Sequence, residues 1–74
     1  MGRLSGFTYR DISRKLILLG FVFYREAKGS HEIWHHPEKN LYTTLARHNG
    51  DVAEGTLRHI VKQAGVTPDD FLSA

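Results

Sequence analysis

Two short turn signals, Lys28-Gly29 and Pro37-Glu38-Lys39-Asn40, lie inside the run from Phe21 to Ala46, and they constrain the fold more than any other feature. The segments they separate are strand-like. Phe21 to Ala27 is rich in aromatic and β-branched residues, Glu32-Ile33-Trp34-His35 continues the pattern until Pro37 ends pairing, and Leu41 to Ala46 forms a third run. Connections this short leave no room for a crossover helix, so the three strands are expected to form an antiparallel meander. Gly29 reaches positive φ without steric penalty and lets the first turn close.

Helical signals flank this sheet. Before it, Thr8 and Asp11 have capping-box spacing, and Tyr9, Ile12, Leu16 and Leu19 fall on one face until Gly20 stops the helix. After it and a polar loop from Arg47 to Gly50, Asp51 and Glu54 again resemble a capping box. Leu57, Ile60, Val61 and Ala64 then make an apolar stripe ended by Gly65. Thr67-Pro68 reads as an N-cap and first position of a final short turn, with Phe71 and Leu72 packing back on the body. The order is α-β-β-β-α, an α+β single domain over residues 1–74 in which both helices cover one face of a three-stranded antiparallel sheet.

At 74 residues the chain buries roughly 60 to 65% of its unfolded surface. Chemistry is therefore expected on an open surface, where a polymer supplies its own binding contacts. Cysteine is absent, which excludes thiolate catalysis and disulfides. No apolar run approaches the ~20 residues of a membrane span, and no secretory leader is legible; a cytoplasmic location is the default expectation. Ten Lys/Arg oppose eight Asp/Glu, for a formal charge of +2. The cations crowd Arg10, Arg14, Lys15, Arg25 and Lys28, then Arg47, Arg58 and Lys62, which suits a polyanion partner.

The first turn also carries chemistry. Lys28-Gly29-Ser30-His31 places an imidazole at a strand start beside Arg25 and Lys28, an arrangement suited to proton transfer on a phosphodiester. His31, His35, His36, His48 and His59 invite a metal site. However, His35 and His36 are adjacent on a strand and point oppositely, and His31 and His35 are about 13 Å apart along it, so no metal or other cofactor is expected. His48 is read first as a loop-capping residue and second as an aid to proton transfer. Tyr24 and Trp34 are read as packing residues, or as base-stacking ones if exposed.

Leu-x-x-x-Gly-Phe at Leu16 to Phe21, Gly-Ser-His at Gly29 to His31 followed by Trp34, and Gly-Thr-Leu-Arg-x-Ile-x-Lys-Gln-Ala-Gly at Gly55 to Gly65 together resemble the HicA family of toxins from toxin–antitoxin pairs. The resemblance covers roughly Tyr9 to Leu72. It departs at Ala46 and at Val52-Ala53, where many members carry proline, and these positions touch the loop and the start of the second helix. The resemblance implies a double-stranded-RNA-binding-domain-like fold and a metal-independent mRNA interferase that blocks translation. His31 would be its essential residue, and a HicB antitoxin would cover that surface in a hetero-oligomer. On this reading Arg25, Lys28 and Ser30 hold phosphate near His31, which serves as base or acid, and Arg58 and Lys62 contact backbone phosphates. The alternatives are a non-catalytic RNA-binding module and an inactive toxin-like interaction domain. Asp51 and Glu54 at the helix start oppose the first of these.

Overall fold

The computed structural model describes residues 3–47 and 49–74; His48 lies outside the described residues. Strand β1 (Phe7–Thr8) runs directly into helix α1 (Tyr9–Leu18), and strands β2 (Val22–Glu26), β3 (His31–His36) and β4 (Leu41–Ala46) follow. A two-residue strand β5 (Asp51–Val52) precedes helix α2 (Glu54–Gln63), and a short helix α3 (Pro68–Ser73) ends the chain. The protein is α+β: β2, β3 and β4 form the expected antiparallel meander in that order, and the helices pack on it.

Helix α1 starts as its sequence dictates. The Thr8 hydroxyl accepts from the Asp11 amide at 3.2 Å, and the Asp11 carboxyl accepts from the Thr8 amide at 3.1 Å. These bonds to its charged form hold the Asp11 carboxyl below the usual 3.8. The first β-turn is a three-residue loop, Lys28-Gly29-Ser30, closed by the Ala27 amide donating to the His31 carbonyl at 2.8 Å, with Gly29 at φ +74°. The second spans Pro37 to Asn40, and Asn40 takes a positive φ of 53°.

Ile12 and Leu16 of α1, Leu57, Ile60 and Val61 of α2, Ala64 beyond it, and Phe71 of α3 all bury against Phe21, Trp34 and Leu45. Burying such side chains at about 1.5–3 kcal/mol each is the main stabilisation available to so small a domain. Leu4 and Val52 complete this core, and Phe7 packs on it with its ring 5.7 Å from that of Phe71. An ion pair between Arg3 and Asp69 lies beside these contacts. No described helix is long and apolar enough to cross a membrane.

Three features differ from the reading of the sequence. The Asp51–Glu54 capping box does not form. Asp51 instead pairs with Thr8 in the β1–β5 ladder, and Ala53, which has no capping side chain, stands at the N-cap of α2. The ladder itself is an added two-stranded element, too short to leave a periodic signal. Finally, β2 is bulged between Phe23 and Arg25, so Tyr24 has no partner on β3 and the strand's alternation breaks there.

Candidate active site

Strand β3 alternates between two environments. Glu32, Trp34 and His36 face the helices and are buried, whereas His31, Ile33 and His35 lie on the opposite, open face. The buried carboxyl of Glu32 fixes this choice. Its Oε1 accepts from the Tyr9 hydroxyl at 2.8 Å and from Trp34 Nε1 at 3.1 Å, and Arg47 Nη1 lies 3.4 Å from Oε2. Burial, and then the bond to Glu32, raise the Tyr9 phenol above its ordinary value of 10.0. Arg47 also pairs with Glu26 at 3.2 Å, and its amide donates to the Ser30 carbonyl at 2.9 Å. One residue thus ties the ends of β2 and β3 to the loop that carries Ser30.

His31 stands next to this clamp, exposed, at the first position of β3. Its Nδ1 is 3.1 Å from the Lys28 carbonyl oxygen. A carbonyl only accepts, so this bond requires a proton on Nδ1 and leaves Nε2 as the nitrogen with a lone pair in the neutral ring. Gly29 is needed at this loop for its positive φ; space is not the constraint, since a Cβ there would make only an ordinary contact with His31 Nδ1 at 3.6 Å.

Beside His31 an open groove of about 520 Å³ runs where the open face of β3 and β4 meets the flank of α2. Thr44 and Ala46 form its floor with His31, and Gly55, Thr56, His59, Ile60 and Gln63 form the helix wall. Gln63 locks the two walls together: its side-chain oxygen accepts from the Thr44 amide at 3.2 Å, while the Thr43 hydroxyl donates to the Ile60 carbonyl at 3.1 Å. These bonds also cover the edge of β4. Gly55 and Thr56 lie in the first turn of α2, where amides have no intrahelical acceptor and the helix dipole is positive.

The structure gathers some of the residues singled out from the sequence and separates others. Lys28, Ser30 and His31 share one turn. Arg25 stands opposite Ile33, on the same sheet face as His31, and donates to the Glu26 carbonyl at 3.2 Å. Arg58 and Lys62 are exposed but line a different groove, with Val61, Val66, Thr67 and Pro68, on the other flank of α2. Arg58 is paired there with Glu54 at 3.0 Å. Trp34 is 5% exposed and belongs to the core. Tyr24 is 53% exposed and forms an open-face cluster with His35 and Tyr42, in which the His35 and Tyr42 rings stack at 4.3 Å.

The remaining described histidines have distinct surroundings. His35 bonds Asn40 at 3.2 Å, and buried His36 accepts from the Lys39 amide at 3.1 Å. Its Nε2 fills the space over Gly20, where an added Cβ would lie 2.7 Å away. Among the described residues no cluster of three or more His, Cys, Asp or Glu has a metal-binding arrangement. His59 in the groove wall was not singled out as a functional residue from the sequence. Its one legible signal is helical spacing, since Thr56, His59 and Gln63 share a face distinct from the buried stripe.

Compared with known families, the chain matches the one described as HicA toxin of bacterial toxin–antitoxin, over residues 9–66. No curated protein sequence matches it.

Proposed function

This chain belongs to the HicA toxin family, and we propose that it is a metal-independent mRNA interferase, an endoribonuclease of the cytoplasm whose antitoxin partner is a HicB-like protein that covers the His31 groove. The single observation that carries the catalytic part is the Nδ1 contact of His31 with the Lys28 carbonyl at 3.1 Å, which leaves Nε2 open to a substrate.

RNA brings its own nucleophile. Nε2 of neutral His31 takes the proton of a 2′-hydroxyl; the 2′-oxygen attacks the adjacent phosphorus, and the bond to the 5′-oxygen breaks. The products are a 2′,3′-cyclic phosphate and a new 5′-hydroxyl, whose proton comes from a general acid or from water. Positioned proton transfer contributes about 10²–10⁴-fold, and no step requires a metal ion. Lys28 and Arg25 bring positive charge to the phosphorane, and Ser30 supplies a hydroxyl donor at the same turn. Arg58 and Lys62, on the other flank of α2, hold phosphates further along the strand.

Expression from a tightly controlled promoter tests this reading. Wild type is expected to arrest growth and degrade messages, and His31→Ala to do neither while folding normally. Equal toxicity of the two removes His31 from the mechanism. Absence of toxicity together with tight binding of duplex RNA by the wild type points instead to a non-catalytic module.

A further inference from the structure

We propose that His59 is a second catalytic residue, the general acid that protonates the leaving 5′-oxygen. The inference rests on the ribonuclease reading above and deepens it, because that chemistry needs an acid as well as a base. Among the described residues, His31 and His59 are the only titratable side chains lining the groove; the other members are Thr44, Ala46, Gly55, Thr56, Ile60 and Gln63. The two imidazoles belong to different walls, His31 to the sheet and His59 to α2. In an in-line displacement the entering 2′-oxygen and the departing 5′-oxygen occupy opposite sides of phosphorus, so base and acid must approach from opposite sides. A phosphodiester lying along the groove meets that requirement, with His31 Nε2 at the 2′-hydroxyl and His59 at the 5′-oxygen.

The helix wall is held firmly enough for this role. Leu57, Ile60 and Val61 anchor α2 in the core, and Gln63, one turn after His59, bonds the Thr44 amide on the groove floor. The charged groups near His59 on its own helix are Arg58 beside it and Lys62 three residues on, and Arg58 is engaged by Glu54. From the sheet, His31 lines the same groove. A protonated imidazole donates through a ring N–H and the neutral ring accepts through a lone pair, so one side chain can give up a proton in one step and be restored in the next.

The test uses two RNA substrates of one sequence, an ordinary phosphodiester and one with a bridging sulfur in place of the leaving 5′-oxygen. A thiolate leaves without a proton, so it bypasses the acid. His59→Gln is expected to slow kcat on ordinary RNA by about 10²–10⁴-fold. It should also abolish the alkaline limb of the wild-type bell-shaped pH profile and cleave the sulfur substrate at close to the wild-type rate. His31→Ala should remain slow on both. The position is exposed on a helix, so the variant is expected to unfold at the wild-type temperature. If His59→Gln cleaves ordinary RNA at the wild-type rate with an unchanged profile, His59 has no part in proton transfer. If it is equally slow on both substrates, its role is not that of the acid. A wild-type protein that cleaves neither substrate overturns the ribonuclease reading itself, an outcome distinct from both.

Discussion

The two faces of strand β3 carry similar residue types in opposite conditions. On the helix side, Glu32 is engaged by Tyr9, Trp34 and Arg47, and buried His36 accepts from the Lys39 amide through Nδ1 while its Nε2 packs over Gly20. On the open side, His31 is exposed, has Nδ1 bound to a backbone carbonyl and lines a groove. The difference separates a polar residue enclosed by the fold from one the fold leaves accessible. Both are held by hydrogen bonds, but only the second is exposed to solvent. Polar atoms on the buried face cost stability when a partner is lost, whereas on the proposed ribonuclease reading those on the open face cost activity.

The largest stability effect therefore belongs to Glu32. Glu32→Ala strands the Tyr9 hydroxyl and the Trp34 indole N–H and removes one of the two acceptors of Arg47. With about 1–3 kcal/mol for each buried group left unpaired, a total loss near 3 kcal/mol is expected by urea denaturation. Because Arg47 also braces the Ser30 carbonyl, the variant should disturb the His31 loop, seen as amide shift changes at Gly29 to His31. A loss under about 1 kcal/mol would break the comparison, since the buried face would then tolerate unpaired groups.

Next comes Tyr9→Phe, which removes one donor to Glu32 and keeps the ring. About 1 kcal/mol is expected. Here pH sharpens the contrast. The Tyr9 phenol is raised above 10.0 in the folded protein, by burial first and by the Glu32 bond second. The folded state therefore holds the proton more tightly than the unfolded chain. The corresponding stability is fully present below pH 10 and is lost as pH climbs through the raised value. Denaturation midpoints of the wild type should fall across that window, and those of Tyr9→Phe should fall less.

Much of this architecture could be read from the sequence, for reasons that also explain the misses. The stripes Ile12–Leu16 and Leu57–Ile60–Val61–Ala64 are local patterns of period 3.6, and both helices form where they predict. The Thr8–Asp11 box needs only residues three apart, and it forms. The facing of β3 has no local answer, because each alternate set contains one large apolar residue and two polar ones. It is settled by Tyr9 and Arg47, which are remote in sequence from Glu32. Asp51 resembled a cap until the β1–β5 ladder claimed it, and a ladder of two residues has no periodicity to detect. The loop holding His31 was legible because a glycine turn is a local event. His59 was not, because its companions in the groove come from β3 and β4 as well as from its own helix.

The smallest effect is expected on the open face. Tyr42 is 45% exposed, stacks on His35 at 4.3 Å and meets Tyr24 edge-on at 5.5 Å. These rings touch across strands but cover no core residue, so the stabilisation they provide is that of a cross-strand pair, about 0.2–1 kcal/mol. Tyr42→Ala should therefore lower the melting temperature by only a few degrees, at about 4–8 °C per kcal/mol for a domain of this size. His35 loses its stacked neighbour but keeps its bond to Asn40, so the second turn should hold its shape. If the drop instead matched that of Glu32→Ala, the open face would be part of the scaffold. The division of β3 into a supporting side and a working side would then fail at its weakest point, four residues along the strand from His31.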